Sequence, residues 1–225
     1  YHSILWLWLA LIALAMAPNG ATTEPTEPTI WVSLLPQQRF ADNLVGEGAD
    51  VHVLLQPGQS PHTYDPSPRQ LAALSKANIF FVAGVPFESA LVPRLKDMYP
   101  NLRIVDVRRG IQLRSVDDGA HQHHHDSHDH GHYDPHFWLD PSAAAIMAEN
   151  MTRILCSLDT TRCDTYQARL ASTKDTLATI DSTIHSMLDP YPGRKLYVYH
   201  AAFGYWCDAY GLKQIPIEVG GKQPG

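Results

Sequence analysis

The chain has 225 residues, 44% hydrophobic and 18% charged, an ordinary globular composition with enough length for one large domain or two small ones around a sizeable core. Its net charge is -6 and its Lys and Arg residues form no stripe, which excludes a nucleic-acid partner, since that needs cations clustered against phosphates. Histidine departs from the average: there are 13, more than half of them in one short stretch.

The chain begins with an apolar run, Leu5 to Met16, that closes on Ala15-Met16-Ala17. It is shorter than the roughly 20 residues needed to cross a bilayer, and its small-residue end reads as a signal peptide over residues 1–21 rather than a membrane anchor. Tyr1 is not an initiator and no basic segment precedes the run, so the N-terminus is expected to be incomplete. The Pro, Thr and Glu residues from Ala21 to Thr29 read as a flexible start of the exported protein. No Cys stands at the cleavage site, which argues for a freely diffusing protein rather than a lipid-anchored one.

From residue 30 onward, short β-rich runs alternate with helical segments, the pattern of a parallel sheet with crossover helices. Ile30 to Leu35, Val51 to Leu55, Ile79 to Val82 and Arg103 to Val107 are predicted strands. A helix is predicted to start at Ser67, with Pro68 at its first position and Gln70 completing a capping box. Phe87 to Tyr99 is the next helix. Residues 117–134 lack periodicity and are dominated by His, Asp and Gly, which predicts a solvated loop. Helix resumes at Asp140-Pro141, with Met147, Met151, Ile154 and Leu158 on one face. Asp164 to Leu188 is predicted as one long helix of about 35 Å, whose stripe is Tyr166, Leu170, Leu177, Ile180, Ile184 and Met187. Pro190-Tyr191-Pro192-Gly193 ends it. Lys195 to Tyr199, a helix, and Gln214 to Val219 then open a second α/β unit, too short to bury a second sheet, so the chain is expected to stop short of that unit's end.

The resulting organisation is α/β: two lobes with parallel sheets joined by a long rigid helix, the second lobe incomplete. The expected divisions are a signal peptide at 1–21, a first lobe at 22–160 with the His-rich loop 117–134, a linker helix at 161–189 and the start of a second lobe at 190–225.

Cysteine usage fits an oxidising compartment better than a zinc–thiolate site, because no CxxC pair occurs. Cys156 and Cys163 could bridge a short turn between helices, a pairing that sequence alone leaves open. Cys207, among aromatics, reads as a buried free thiol.

Three isolated histidines share a context, each following a strand or loop and preceding a helix. His62 lies in Pro61-His62-Thr63-Tyr64-Asp65-Pro66-Ser67-Pro68, His136 in Asp134-Pro135-His136-Phe137-Trp138-Leu139-Asp140-Pro141, and His200 ends Leu196-Tyr197-Val198-Tyr199-His200. Carboxyl ends of parallel strands are where ligands collect, and prolines on either side would hold the first two rings in place. Taken singly, each is more often a hydrogen-bonded structural residue than a ligand; the repetition of context favours ligation. Three neutral imidazoles with one further donor make a tetrahedral zinc site. A second, weaker set is His121, His123, His124, His125, His128, His130 and His132, interleaved with Asp126 and Asp129, a tract that can chelate zinc exchangeably and feed a rigid site. The bland alternative for this tract is a solubilising loop.

The ordered set of Pro57 to Pro68, the His-rich loop, Asp134 to Pro141, and His200-Ala201-Ala202-Phe203-Gly204-Tyr205 resembles the metal solute-binding proteins of bacterial zinc and manganese ABC transporters. The resemblance covers nearly all of residues 30–225. It implies two α/β lobes on a rigid backbone helix, with metal held between them by His62 and His136 of the first lobe and His200 of the second. It also implies a periplasmic, monomeric protein that hands its ion to a membrane permease. The His-rich loop is similar to the zinc branch, and three nitrogen donors favour Zn2+ over Mn2+. A fourth ligand from the later part of the second lobe is implied beyond the residues present, and Pro61 stands where some zinc members carry a glutamate.

Two rivals remain open on sequence. A zinc hydrolase could use the same three-histidine set, but no H-E-x-x-H or HxHxDH pattern occurs and no general base accompanies the histidines, so the chain reads as no enzyme. A zinc buffer or adhesin of the same fold differs only in its partner. Because imidazole must be neutral to ligate, metal affinity is expected to fall as pH drops through the ordinary histidine range near about 6.5.

Overall fold

The structure, a computed structural model, describes residues 27–115 and 133–218. The expected signal peptide and the seven histidines of 121–132 lie outside the described residues. Four strands, β1 (Thr29–Val32), β2 (Asp50–Val53), β3 (Ile79–Val82) and β4 (Arg103–Asp106), form one sheet in the order β2-β1-β3-β4, all parallel. Helices α1 (Leu35–Val45), α2 (Pro68–Leu74) and α3 (Glu88–Met98) are the crossovers, as parallel neighbours require. All four residues of β3 are buried, and Ile30, Val32, Ile79, Phe80 and Phe81 are fully enclosed. A central strand covered on both faces reads as such an unbroken apolar run.

The polar groups that are buried in this lobe organise the loops at the carboxyl ends of the strands. The Gln37 side-chain carbonyl accepts from the Ser33 and Leu34 amides at 3.1 and 3.0 Å, which turns the chain from β1 into α1. That turn is why the first strand stops at Val32 and Leu35 is helical, against the expected strand to Leu35. Glu88 accepts from the amides of Ala83, Gly84 and Val85 at 2.9, 2.6 and 3.2 Å and folds the loop after β3 back on itself. The Asn150 amide donates to the carbonyls of Val107 and Arg109 at 2.9 and 2.7 Å, tying the segment after β4 to α4 (Pro141–Leu158). Each of these three buried side chains thus has the partners that its desolvation demands.

The helix starts follow from their caps. Ser67 Oγ accepts from the Gln70 amide at 3.3 Å, with Gln70 reaching back to the Ser67 amide at 3.0 Å, and Asp140 accepts from Ser142 N at 2.9 Å. Helix α5 (Cys163–Leu188) packs on α4, and Cys156 and Cys163 are bonded across the turn between them. Cys207 is a buried free thiol, pushed up to about 11 by burial.

Two expectations about apolar stripes need correction. Leu158, at the last turn of α4, is partly exposed, and of the six stripe residues on α5 only Tyr166 and Leu170 are buried, while Ile180 and Met187 are open. Beyond Leu170 the helix still reaches α4 through Lys174 and Glu149 at 2.5 Å, but Leu177 and Ile184 are only half-buried, so periodicity marks an apolar face that is incompletely covered. Among the described residues the second lobe comprises β5 (Lys195–Val198), α6 (Gly204–Ala209) and β6 (Lys213–Pro216), the two strands again parallel. No helix among the described residues is long and apolar enough to cross a membrane.

Candidate metal centre

His136 opens a short 3-10 turn, Phe137–Leu139, that packs against both α4 and α6. Two residues before it, Asp134 is almost completely buried. One of its oxygens, Oδ1, accepts from the His136 amide at 2.9 Å and pairs with His136 Nδ1 at 2.8 Å. A carboxylate on Nδ1 fixes the proton there and leaves Nε2 with its lone pair free, the tautomer and orientation that metal-ligating histidines use. The intervening Pro135 has no amide hydrogen to compete for the carboxylate.

His200 reaches the same place from the other lobe. The parallel register pairs Val198 with Pro216, and the ladder runs on, Ile217 N donating to Val198 O at 2.8 Å and Glu218 N to Tyr199 O at 3.1 Å. Two residues past the end of each strand, Glu218 stands beside His200 and its carboxylate pairs with His200 Nδ1. The two imidazoles then face one another edge to face, ring centroids 5.2 Å apart. Trp138 also packs edge-on to His136, with ring centroids 5.4 Å apart. A histidine from a 3-10 turn and one from a strand end therefore meet with the same nitrogen satisfied and the same nitrogen free.

His62 is placed differently. It sits at an exposed turn after β2, its amide donating to Ser60 Oγ at 3.3 Å. The foot of that loop is fixed: Tyr64 donates its hydroxyl to Leu54 O at 2.8 Å, receives Gln70 Nε2 at 2.8 Å and packs edge-on to Phe87 at 4.9 Å. The imidazole at the tip joins neither of the other two, and among the described residues no three His, Cys, Asp or Glu side chains converge as a metal-holding group. The structure thus brings together His136 and His200 and leaves His62 apart.

Sequence reasoning found no general base beside the histidines; the structure gives an orienting carboxylate to each of the two that meet. Asp134 was legible in principle, two residues ahead of His136 and followed by proline. Glu218 was not, because only the β5–β6 register places it. Burial pushes the Cys207 thiol up to about 11, which keeps it protonated at neutral pH in the metal-free protein.

A family model described as ZnuA, zinc-uptake complex component A, periplasmic, matches residues 30–225. The zinc-binding lipoprotein AdcA of Streptococcus pneumoniae is 26% identical over 193 residues, covering 84% of this chain and 38% of that protein. The zinc-binding protein AdcA of Streptococcus pyogenes is 27% identical over 228 residues, covering 96% of this chain and 43% of that protein. The chain therefore spans about two fifths of the length of these relatives. A crystal structure of ZnuA superimposes with a TM-score of 0.76 at 34% identity, over 88% of this chain and 73% of that one.

Proposed function

We infer the function of this chain from the family to which it belongs, that of the periplasmic zinc-uptake component ZnuA, and propose that it captures Zn2+ between its two lobes and delivers the ion to an ABC transporter permease. The observation that carries this reading is the meeting of His136 and His200 at 5.2 Å, each with a carboxylate on Nδ1. Imidazole nitrogen presented this way is a zinc donor whose basicity the carboxylate raises. In the capture we propose, His62 completes the set when its loop closes over the ion, with the Tyr64 foot as the fixed end of that movement. The histidines of 121–132 collect zinc ahead of the rigid site. Manganese, which prefers oxygen donors, is the poorer fit to three imidazoles.

The lobes in this proposal are residues 22–160 and 190–225, with 161–189 as the helix between them. The protein works as a periplasmic monomer and catalyses no reaction: Asp134 and Glu218 sit on Nδ1, where they orient the rings, rather than on the metal-facing side where a hydrolytic base would have to be. Capture and release need differential affinity, and protonation of the imidazoles supplies one route to release, since ligation requires the neutral ring.

The test is calorimetric titration of zinc into the full chain and its variants. Structural zinc sites with four ligands bind with about 10–16 kcal/mol, so each ligand contributes about 3 kcal/mol and its loss should weaken binding on the order of 100-fold. His62→Ala, His136→Ala and His200→Ala should each do so, whereas removing residues 121–132 should abolish only weaker, additional sites. A tight site that survives all three substitutions and disappears with the loop would make the protein a His-rich metal buffer instead.

A further inference from the structure

Behind His136 lies a charged group that ties the two lobes together. Arg114, in the segment after β4, is largely buried, its side chain 13% exposed. Its Nε donates to Asp208 of α6 at 2.8 Å, and its Nη1 lies 3.8 Å from the outer oxygen of Asp134 and 3.5 Å from Ser115 O. Its backbone does the same in both directions: the carbonyl accepts from Asp134 N at 2.9 Å and the amide donates to the Tyr205 hydroxyl of α6 at 2.8 Å. Burial raises the pKa of that hydroxyl and so keeps it neutral. Gly204, the first residue of α6, packs directly on the pair; a Cβ there would lie 2.6 Å from Asp134 Oδ2 and 2.7 Å from Arg114 Nη1.

The arrangement has one arm on each histidine. Asp134 uses one oxygen for His136 and turns the other toward Arg114. Helix α6, which Arg114 grips through Asp208 and Tyr205, begins four residues after His200. We propose that Arg114 is a positioning residue for the metal centre: it fastens the carboxylate behind His136 to the helix that follows His200, and so holds the two imidazoles at their spacing before an ion arrives. This rests on the zinc-capture reading of His136 and His200. A guanidinium suits the task because its planar fork engages two carboxylates at once, where an ammonium would serve as a point charge. Holding donors in place before binding removes an ordering cost that the ion would otherwise have to overcome. The helix has independent anchors, Tyr210 to Asp181 at 2.9 Å and Phe203 N to Gln214 at 2.6 Å, so losing Arg114 leaves it attached but free to shift.

The experiment compares Arg114→Met, Arg114→Lys, Asp208→Asn and the double variant Arg114→Met/His136→Ala with the unaltered full chain. It reads zinc affinity, the visible spectrum of bound Co2+ and the melting temperature of the metal-free protein. Outer partners of ligating histidines are typically worth 10- to 100-fold in affinity. Arg114→Met should therefore weaken zinc binding by about that factor and alter the Co2+ spectrum, and Arg114→Lys should recover part of the loss. Asp208→Asn, at an exposed carboxylate, should weaken binding about threefold with the metal-free melting temperature unchanged. Because what Arg114 sets is the spacing of His136 from His200, which has no meaning once His136 is removed, the double variant should bind no more weakly than His136→Ala alone. If Arg114→Met lowers the melting temperature yet leaves zinc affinity and the Co2+ spectrum as they were, or if the two losses simply add, Arg114 is a structural brace and the proposal is wrong. If His136→Ala itself leaves tight binding intact, the capture reading fails first and takes this inference with it.

Discussion

The two lobes solve the same problem, holding a histidine where they meet, with different means: His136 opens a 3-10 turn ahead of a helix, and His200 follows a parallel strand. The first lobe encloses its strands: Phe80 and Phe81 of β3 are fully buried, and the carboxylate on His136 is buried with them. Among the described residues of the second lobe, Tyr197, Tyr199 and Ile217 are each more than half exposed, and the His200 side chain is itself 50% exposed. His136 is therefore placed by the core beneath it, whereas His200 is placed by register with Glu218 and by the contacts that α6 makes with Arg114 and with α5. The comparison teaches that one histidine of such a site is held mainly by a buried carboxylate and the other mainly by strand register, with the contacts of α6 shared between them.

Substitutions should separate the two lobes by size of effect. Phe80→Ala, which empties a fully buried site, should cost about 3–5 kcal/mol in chemical denaturation; a loss under about 1 kcal/mol would mean that the first lobe is not the rigid one. The next effect is a pH dependence. Burial raises Glu88 from 4.5 to about 7, against the opposing pull of the Ala83 and Gly84 amides and Arg108. The folded state then holds this proton more tightly than the unfolded chain, so the stability it contributes is fully present below about 4.5 and is lost as pH rises through about 7. At about 1.4 kcal/mol per unit the loss amounts to a few kcal/mol, and Glu88→Gln should flatten that part of the metal-free stability profile; an unchanged profile would remove Glu88 as its source.

Smaller again is the disulfide. Opening the Cys156–Cys163 bridge by Cys163→Ala should cost about 2 kcal/mol, because the loop it closes is short, and should leave zinc affinity nearly unchanged because the bridge lies away from both histidines. The least effect belongs to the exposed second sheet, where Tyr197→Ser should change stability by less than about 0.5 kcal/mol. If Tyr197→Ser instead costs as much as Phe80→Ala, the contrast between the lobes is false.

Much of the scaffold was legible in the residues. The Ser67-Pro68-Gln70 cap, the Asp140 cap and the long helix to Leu188 were all readable from local chemistry, because each signal lies within a few residues of the feature it sets. What sequence could not supply depends on contacts between distant segments. The strand from Ile30 ends early because Gln37 reaches back to Ser33 and Leu34. The stripe on α5 is a true apolar face, yet periodicity does not say whether anything covers it. The same distinction holds at the metal centre. His62, His136 and His200 stand out by context, but the carboxylate of Glu218 and the guanidinium of Arg114 come to the histidines only through strand register and lobe contact.

The most direct test of the account is anomalous diffraction at the zinc edge from crystals of the metal-loaded protein. The account predicts one strong peak about 2.0–2.1 Å from an imidazole nitrogen of both His136 and His200, with His62 drawn in to the same ion. Peaks confined to His121 through His132, with none between His136 and His200, would contradict it.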